Sequence, residues 1–173
     1  MKKVTIIFCI IILGACACKK EATAKEEKKY YKNPTKLTLN DFKGDTLAYV
    51  QTKILDNKEY YIGKKFEVLL NDLNIPINNF LFSEDDNNIA SVSSTIFLIY
   101  DGFEIKNKLT RGEIPVNLVV RWNPPLKAED LKKLNGEMGK RGEWNPKNEA
   151  YFREQIVENI VKTDYNLEKY KKK

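Results

Sequence analysis

Three cysteines near the N-terminus carry the most reactive side chains of this 173-residue chain. They stand at positions 9, 16 and 18, and no cysteine follows them. A thiolate is a strong nucleophile, so a cysteine can accept a covalent group. Cys16 and Cys18 are too close in sequence to form an unstrained disulfide with each other. The sequence therefore predicts acceptor chemistry at one of these two cysteines, and no disulfide or thiol chemistry in the chain beyond them.

The residues before these cysteines have the pattern of a secretion signal. Lys2 and Lys3 precede an apolar run over residues 4–13, and the small residues Gly14 and Ala15 follow it. A membrane-spanning helix needs about 20 apolar residues. This run is shorter and leads into a basic, polar segment, which favours a cleaved signal over residues 1–15 rather than a permanent span.

Leu13, Gly14, Ala15 and Cys16 together resemble the lipobox of bacterial lipoproteins. The resemblance implies that the thiol of Cys16 is acylated, that the signal is cut just before it, and that the lipid holds the chain at a membrane. Cys18 is the alternative acceptor, although Ala15 then replaces Leu13 at the third position before the cut. An ordinary secretory signal with incidental cysteines is the other interpretation that remains open.

The wider pattern is similar to small uncharacterised lipoproteins of the Bacteroidetes or flavobacterial type. It consists of the CKKE start at Cys18 and the stretches IGKKFEVLLNDL, VVRWNPPL and EWNP, although its specific part covers only about the first twenty residues. The resemblance implies an outer-membrane location. Lysines rather than acidic residues follow the cysteines, which slightly favours a periplasm-facing position over surface display. The family carries no activity that can be transferred to this chain.

Composition argues against several classes of function. The net charge is +6, but the excess comes mainly from lysine, with arginine only at positions 111, 121, 141 and 153. Nucleic-acid readers usually cluster Arg and Lys with aromatic residues on one face, and no such stripe occurs, so we expect no nucleic-acid partner. Histidine is absent, which removes the commonest general base and metal ligand. We expect no metal, no cofactor and no enzymatic activity.

Carboxylates are the remaining groups with catalytic potential. Glu84, Asp85 and Asp86 stand together, but they lack the alternate spacing, the glycine and the distant glutamate of a calcium-binding EF-hand loop. We interpret residues 83–88 as a solvated loop. A carboxylate-dependent envelope hydrolase is the alternative function, because sequence alone does not show which distant carboxylates meet in space.

Four residues are candidates for recognition or modification. Arg121 and Trp122 precede a Pro-Pro turn and could form a recognition surface, but the alternation of the strand places Trp122 in the core and Arg121 in solvent. Trp144 follows a glycine-rich stretch and is either a binding residue or the apolar residue before a helix cap. Asp45, Thr46 and Leu47 resemble the short O-glycosylation sequon of Bacteroidetes envelope proteins, and Asp45 is equally a helix cap.

The first half of the domain begins with two predicted helices. Asp45 caps a first helix. The second contains Phe66, Leu69, Leu70 and Leu73 on one face, between a break at Gly63 and a stop at Asn74. Residues 75–82 follow as an edge strand because Pro76 cannot donate to a ladder. Residues 89–100 form a central strand, with Val92, Ile96, Leu98 and Tyr100 on one face and Phe97 and Ile99 on the other.

The second half contains another strand and two further helices. Residues 102–109 are ambiguous, with a short helix as one option. Residues 116–122 alternate as a strand that Pro124 and Pro125 end. A short helix covers residues 128–134, and residues 136–144 form a mobile loop. Asn145 caps a last helix whose apolar band includes Phe152, Ile156, Val157, Ile160 and Val161.

The order of elements predicts an α+β domain over residues 37–165, with a small, mostly antiparallel sheet of three to four strands covered by helices on one face. A flexible charged tether over residues 16–36 precedes it and a basic tail over 166–173 follows it. We interpret the chain as a lipid-anchored, non-catalytic binding module of the cell envelope. Its partners are the membrane, through the lipid, and an envelope protein or a small ligand.

Overall fold

The computed structural model describes residues 36–82, 85, 88–135 and 142–170. The predicted signal peptide, both candidate lipidation cysteines and all of the predicted tether except Lys36 lie outside these residues. Residues 136–141 of the predicted loop 136–144 and the last three residues of the basic tail, 171–173, also lie outside them. No helix within the described ranges is both long enough and apolar enough to cross a membrane.

The class of fold is α+β, as predicted. Five short α-helices occur among the described residues: α1 (Thr46–Val50), α2 (Phe66–Leu73), α3 (Gly102–Thr110), α4 (Ala128–Asn135) and α5 (Pro146–Arg153). Five strands form one antiparallel sheet in the order β4-β1-β2-β3-β5. They are β1 (Asn79–Phe82), β2 (Ser91–Leu98), β3 (Asn117–Lys127), β4 (Gly142–Glu143) and β5 (Val157–Lys162). The prediction of three to four strands is therefore too low.

The early helices follow the sequence signals. The carboxylate of Asp45 accepts a hydrogen bond from the backbone N–H of Ala48 at 3.0 Å, so it caps α1 as predicted. A π-helical turn, Gln51–Leu55, continues from α1. Helix α2 ends at Asn74, whose φ of 46° lies in the left-handed region. The ambiguous segment is helix α3, which begins at a capping box between Asp101 and Glu104.

The prediction of one long C-terminal helix is wrong. Asn145 caps helix α5 as expected, but the helix ends at Arg153, and the second half of the apolar band is strand β5. This half is rich in β-branched residues, including Val157 and Ile160, which favour a strand. Strand β3 supplies the partner, with Val120 opposite Ile160 and Val119 opposite Val161.

Two strand predictions also need correction. Strand β1 begins at Asn79 rather than at residue 75. It is not an edge strand, because β4 pairs with it on the side away from β2. Strand β3 does not stop at Pro124 and Pro125 but continues to Lys127. The two prolines lie where the pairing with β2 is irregular, which is a position that tolerates their missing N–H groups.

The core lies on one side of the sheet, which we call the inner face. Phe97 is fully buried there and stacks on Phe66 of α2, with ring centroids 4.7 Å apart. Trp122 stacks on Phe152 of α5 at 5.9 Å. Aromatic pairs at such distances add stability beyond the burial of their area. Helices α2 and α5 are thus fixed to the inner face.

The β2 side chains are distributed over the two faces of the sheet differently from the prediction. The register between β2 and β3 shifts between Val92 and Ser94, so Val92 shares the inner face with Phe97. Between the pairs Val92–Leu126 and Ser94–Arg121, β3 has three more residues than β2, and the alternation of β2 reverses at this irregularity. Ile96 and Leu98 consequently belong to the opposite side of the sheet, which we call the outer face.

Candidate functional site

A row of four apolar side chains crosses the outer face of the sheet. Leu81 on β1 is opposite Ile96 on β2, Ile96 is opposite Val119 on β3, and Val119 is opposite Val161 on β5. Directly opposed residues in antiparallel strands point to the same side of the sheet. We call these four residues the apolar row.

The apolar row remains accessible to solvent. Val161 is 41% exposed, and the other three side chains are partly exposed. None of the four belongs to the buried core cluster or packs against it. Three inter-strand spacings of about 4.8 Å make the row roughly 14 Å long. A continuous apolar strip on an open sheet face is typical of a contact surface.

The apolar row is bounded differently on its two sides. On one side Leu98 and Asn117 are buried, and the amide nitrogen of Asn117 donates to the hydroxyl of Tyr165 at 2.7 Å. On the other side lies a polar row formed by Ser94, Arg121 and Asn159. A ligand that covers the apolar row therefore meets buried residues on one flank and exposed or partly exposed polar side chains on the other.

Arg121 is the charged side chain next to the apolar row. It is exposed, and among the described residues its guanidinium has no hydrogen bond and no ion pair. The outward side chains nearest to it are neutral, namely Ser94, Ile96, Val119, Asn159 and Val161. The outward charges Glu143, opposite Asn79, and Lys127, opposite Ser91, lie farther away on the same face. An arginine next to an apolar strip is one of the side chains that dominate binding at protein interfaces.

The structure separates the predicted recognition residues. Arg121 lies on the outer face, whereas Trp122 is 1% exposed on the inner face and donates its indole N–H to the hydroxyl of Thr95 at 3.0 Å. Trp144 is partly buried, and its ring centroid is 5.6 Å from that of Phe97. Both indoles pack with the core, so only Arg121 belongs to the outer surface.

The remaining predicted sites are placed as follows. Thr46 is the first residue of α1 and is partly buried, directly after the capping carboxylate of Asp45. Cys16 and Cys18 lie outside the described residues. Asp85 accepts hydrogen bonds from the hydroxyls of Ser91 and Ser93, each at 2.7 Å. This carboxylate therefore holds the turn before β2.

The carboxyl groups with displaced pKa values are held in the ionised form. Hydrogen bonds from Ser93 and Ser91 lower the pKa of Asp85, and hydrogen bonds from Thr38 lower that of Asp41. Arg111 and Lys108 lower the pKa of Glu113 to about 2. A general acid at neutral pH needs a raised carboxyl pKa, so these three groups do not have that role.

Within the described ranges, no group of three or more Cys, Asp or Glu residues is arranged to hold a metal ion. A cavity of about 520 Å³ lies between the start of β2 and helix α4. Its lining consists of Ile89, Ala90, Lys127, Ala128, Glu129 and Lys132. Ile89 is 73% exposed, so this cavity is open to water, whereas a ligand pocket would exclude it.

No family model, curated protein or solved structure matches the chain.

Sequence reasoning found Arg121 but missed the apolar row. The alternation in β3 correctly separated Val119 and Arg121 from Trp122. Ile96 was grouped with Val92 because the irregular pairing of β2 with β3, which puts these two residues on opposite faces, has no clear sequence signal. Val161 was assigned to a helix. The row exists only through the register of four strands, which depends on contacts between distant parts of the chain.

Proposed function

We propose that the chain is a non-catalytic binding module of the cell envelope, held at the outer membrane by a lipid on Cys16, with Cys18 as the alternative acceptor. Its outer sheet face is the surface that binds a protein partner. The observation that carries this proposal is the solvent-accessible apolar row beside Arg121, an exposed cation that makes no ion pair among the described residues.

The anchor rests on the sequence around Leu13 and Cys16. Two or three acyl chains bind a membrane stably where a single chain does not. A flexible tether of the length of residues 16–36 has an average reach of about 25 Å. The partner is therefore a protein at or near the same membrane, and a periplasm-facing position is preferred.

The apolar row supports binding rather than catalysis. An interface needs a desolvated apolar centre with charged or polar groups at its margin. The row and the adjacent Ser94, Arg121 and Asn159 have this arrangement. The alternative of a carboxylate-dependent hydrolase gains no comparable support, since the displaced carboxyl pKa values are all lowered.

The anchor is tested by labelling with a palmitate analogue in cells. We expect Cys16→Ser to lose the label and Cys18→Ser to keep it. Loss of label only from Cys18→Ser would move the acceptor to Cys18. Full labelling of both variants would contradict a single acceptor, and an unlabelled wild-type chain would contradict the lipid anchor.

Binding is tested by cross-linking the native, lipidated chain in its own membrane, purifying it and identifying what is attached by mass spectrometry. We expect one protein in stoichiometric amount. Absence of any protein above the background of an unrelated lipoprotein would contradict the proposed function and direct attention to small ligands.

A further inference from the structure

We infer that the outer face accepts an amphipathic helix of the partner protein, lying across the strands, with a carboxylate on its flank that pairs with Arg121. This inference rests on the proposed function and specifies the chemistry of the partner at the same site.

The spacing of the apolar row fits a helix. Neighbouring residues of the row lie on adjacent strands, so they repeat every 4.8 Å or so. An α-helix rises about 5.4 Å per turn, which is close to that repeat. A helix laid along the row therefore presents about one apolar side chain to each strand. Covering the row takes about three turns, with apolar residues at i, i+3 or i+4, i+7 and i+11.

The row lies on a face of the sheet and not along its edge. A partner strand that pairs through backbone hydrogen bonds needs an open strand edge. The backbone N–H and C=O groups of Ile96 and Val119 already take part in the ladder of β2 and β3. Side-chain contacts from above the sheet are what this surface offers, and an amphipathic helix supplies them as one continuous stripe.

The position of Arg121 fixes which flank of the helix is acidic. Arg121 follows Val119 by two residues on β3, so it lies about 7 Å from Val119 along the strand and on the same face. The opposite side of the row is closed by Leu98 and Asn117. A glutamate or aspartate next to the residue that covers Val119 can reach the guanidinium, which binds carboxylates in a planar, bidentate geometry.

Charge distinguishes this partner from two other occupants. Binding to anionic lipid draws on several clustered lysines or arginines, whereas the two cations that strand pairing places on this face, Arg121 and Lys127, are six residues apart on β3, and Lys58 reaches it only through Asn159 at 3.3 Å. A second copy docking by the same face would bring another Arg121, and its outward Glu143, opposite Asn79, lies on the other flank of the row and three strands away from the strand of Arg121. An acidic amphipathic helix of a different protein complements both the row and the cation.

The test places the photo-cross-linker p-benzoylphenylalanine at Val119 of the full chain in native cells, with the same group at Ile114 as the control. Ile114 is 39% exposed but lies before β3, away from the apolar row. We expect the Val119 probe to attach to one segment of one protein, with apolar residues at helical spacing and an acidic residue within a turn of the cross-link. The Ile114 probe should not reach that segment.

Charge reversal completes the test. Arg121→Glu should reduce the yield of that cross-link by about tenfold or more, as expected for loss of a charge pair at an interface. Lys106→Glu, which makes the same charge change on the exposed surface of α3, should leave the yield unchanged. Replacing the partner's acidic residue by arginine should restore the cross-link to Arg121→Glu.

The outcomes separate the two levels of the proposal. If the Val119 probe attaches to a strand or loop, or if Arg121→Glu behaves like Lys106→Glu, the helix and its carboxylate are wrong while the binding face stands. If the probe attaches only to lipid or to no molecule, the binding face itself is wrong.

Discussion

The ring of Phe80 occupies the space that a side chain on Gly142 would need. The two residues are directly opposed in the pairing of β1 with β4, and a Cβ added to Gly142 would overlap the ring. Phe80 is fully buried and contacts Phe152 of α5 with ring centroids 5.0 Å apart. The short strand β4 can pair with β1 only because residue 142 has no side chain.

Gly142→Ala should therefore destabilise the fold by about 1–3 kcal/mol, the usual cost of overpacking a core. Denaturant titration measures the loss. The matched variant is Phe80→Leu, which removes part of the ring, and the double variant should lose less stability than the sum of the two single changes. Simple additivity would show that the ring and the glycine are not in contact.

The hydrogen bond between Trp122 and Thr95 provides a second prediction. Thr95→Val keeps the shape of the side chain but leaves the buried indole N–H without its acceptor, which should cost about 1–3 kcal/mol. Thr163→Val is the matched control, because the hydroxyl of Thr163 is buried and has no hydrogen-bond partner within the part of the chain that the structure describes. That change should be neutral or stabilising in urea denaturation. Equal losses in both variants would contradict the hydrogen-bond assignment.

Asp85 should make the turn before β2 sensitive to acid. Hydrogen bonds from Ser93 and Ser91 lower its pKa from the ordinary value of 3.8, so its ionised form is favoured in the folded state. Its contribution to stability is complete above pH 3.8 and is lost as the pH falls through the lowered pKa. Wild type and Asp85→Asn should therefore differ at pH 7 and converge at low pH in denaturation curves. A difference that persists or grows in acid would contradict this role.

Lys53 holds the first described residues against the helices. Its side chain is buried, and its ammonium donates to the backbone carbonyl of Leu37 at 2.8 Å and to the hydroxyl of Tyr49 at 3.1 Å. Lys53→Met keeps a similar apolar stem but removes both bonds. Hydrogen exchange over residues 37–43 should become faster, whereas the exposed control Lys106→Met should leave it unchanged. Unchanged exchange in Lys53→Met would contradict this role.

Local signals in the sequence were sufficient for several elements. Asp45 and Asn145 were recognised as caps because their side chains bond backbone N–H groups within the same turn. Helix α2 was predicted from one apolar stripe and the stop at Asn74. Val119, Arg121 and Trp122 were placed on the correct faces by simple alternation. Each of these features depends on residues close together in the chain.

Features that depend on distant contacts were not predictable in the same way. The apolar residues Phe152, Ile156 and Ile160 satisfy a helical spacing, yet pairing with β3 makes the second half of that segment a strand. Strand β4 has two residues and depends on the fit of Gly142 beneath Phe80. The apolar row combines residues from four strands, so neither its members nor its position could be found before the register was known.

The central claim is that the outer face binds a protein, and a matched pair of substitutions tests it most directly. Val161 and Ile114 are 41% and 39% exposed, but only Val161 belongs to the apolar row. Full-length Val161→Lys and Ile114→Lys chains are compared with wild type by thermal unfolding and by quantitative cross-linking in native membranes. We expect similar unfolding curves, a partner yield reduced by about tenfold for Val161→Lys, and a wild-type yield for Ile114→Lys. Equal partner yields from the two variants would contradict the assignment of the outer face as the binding surface.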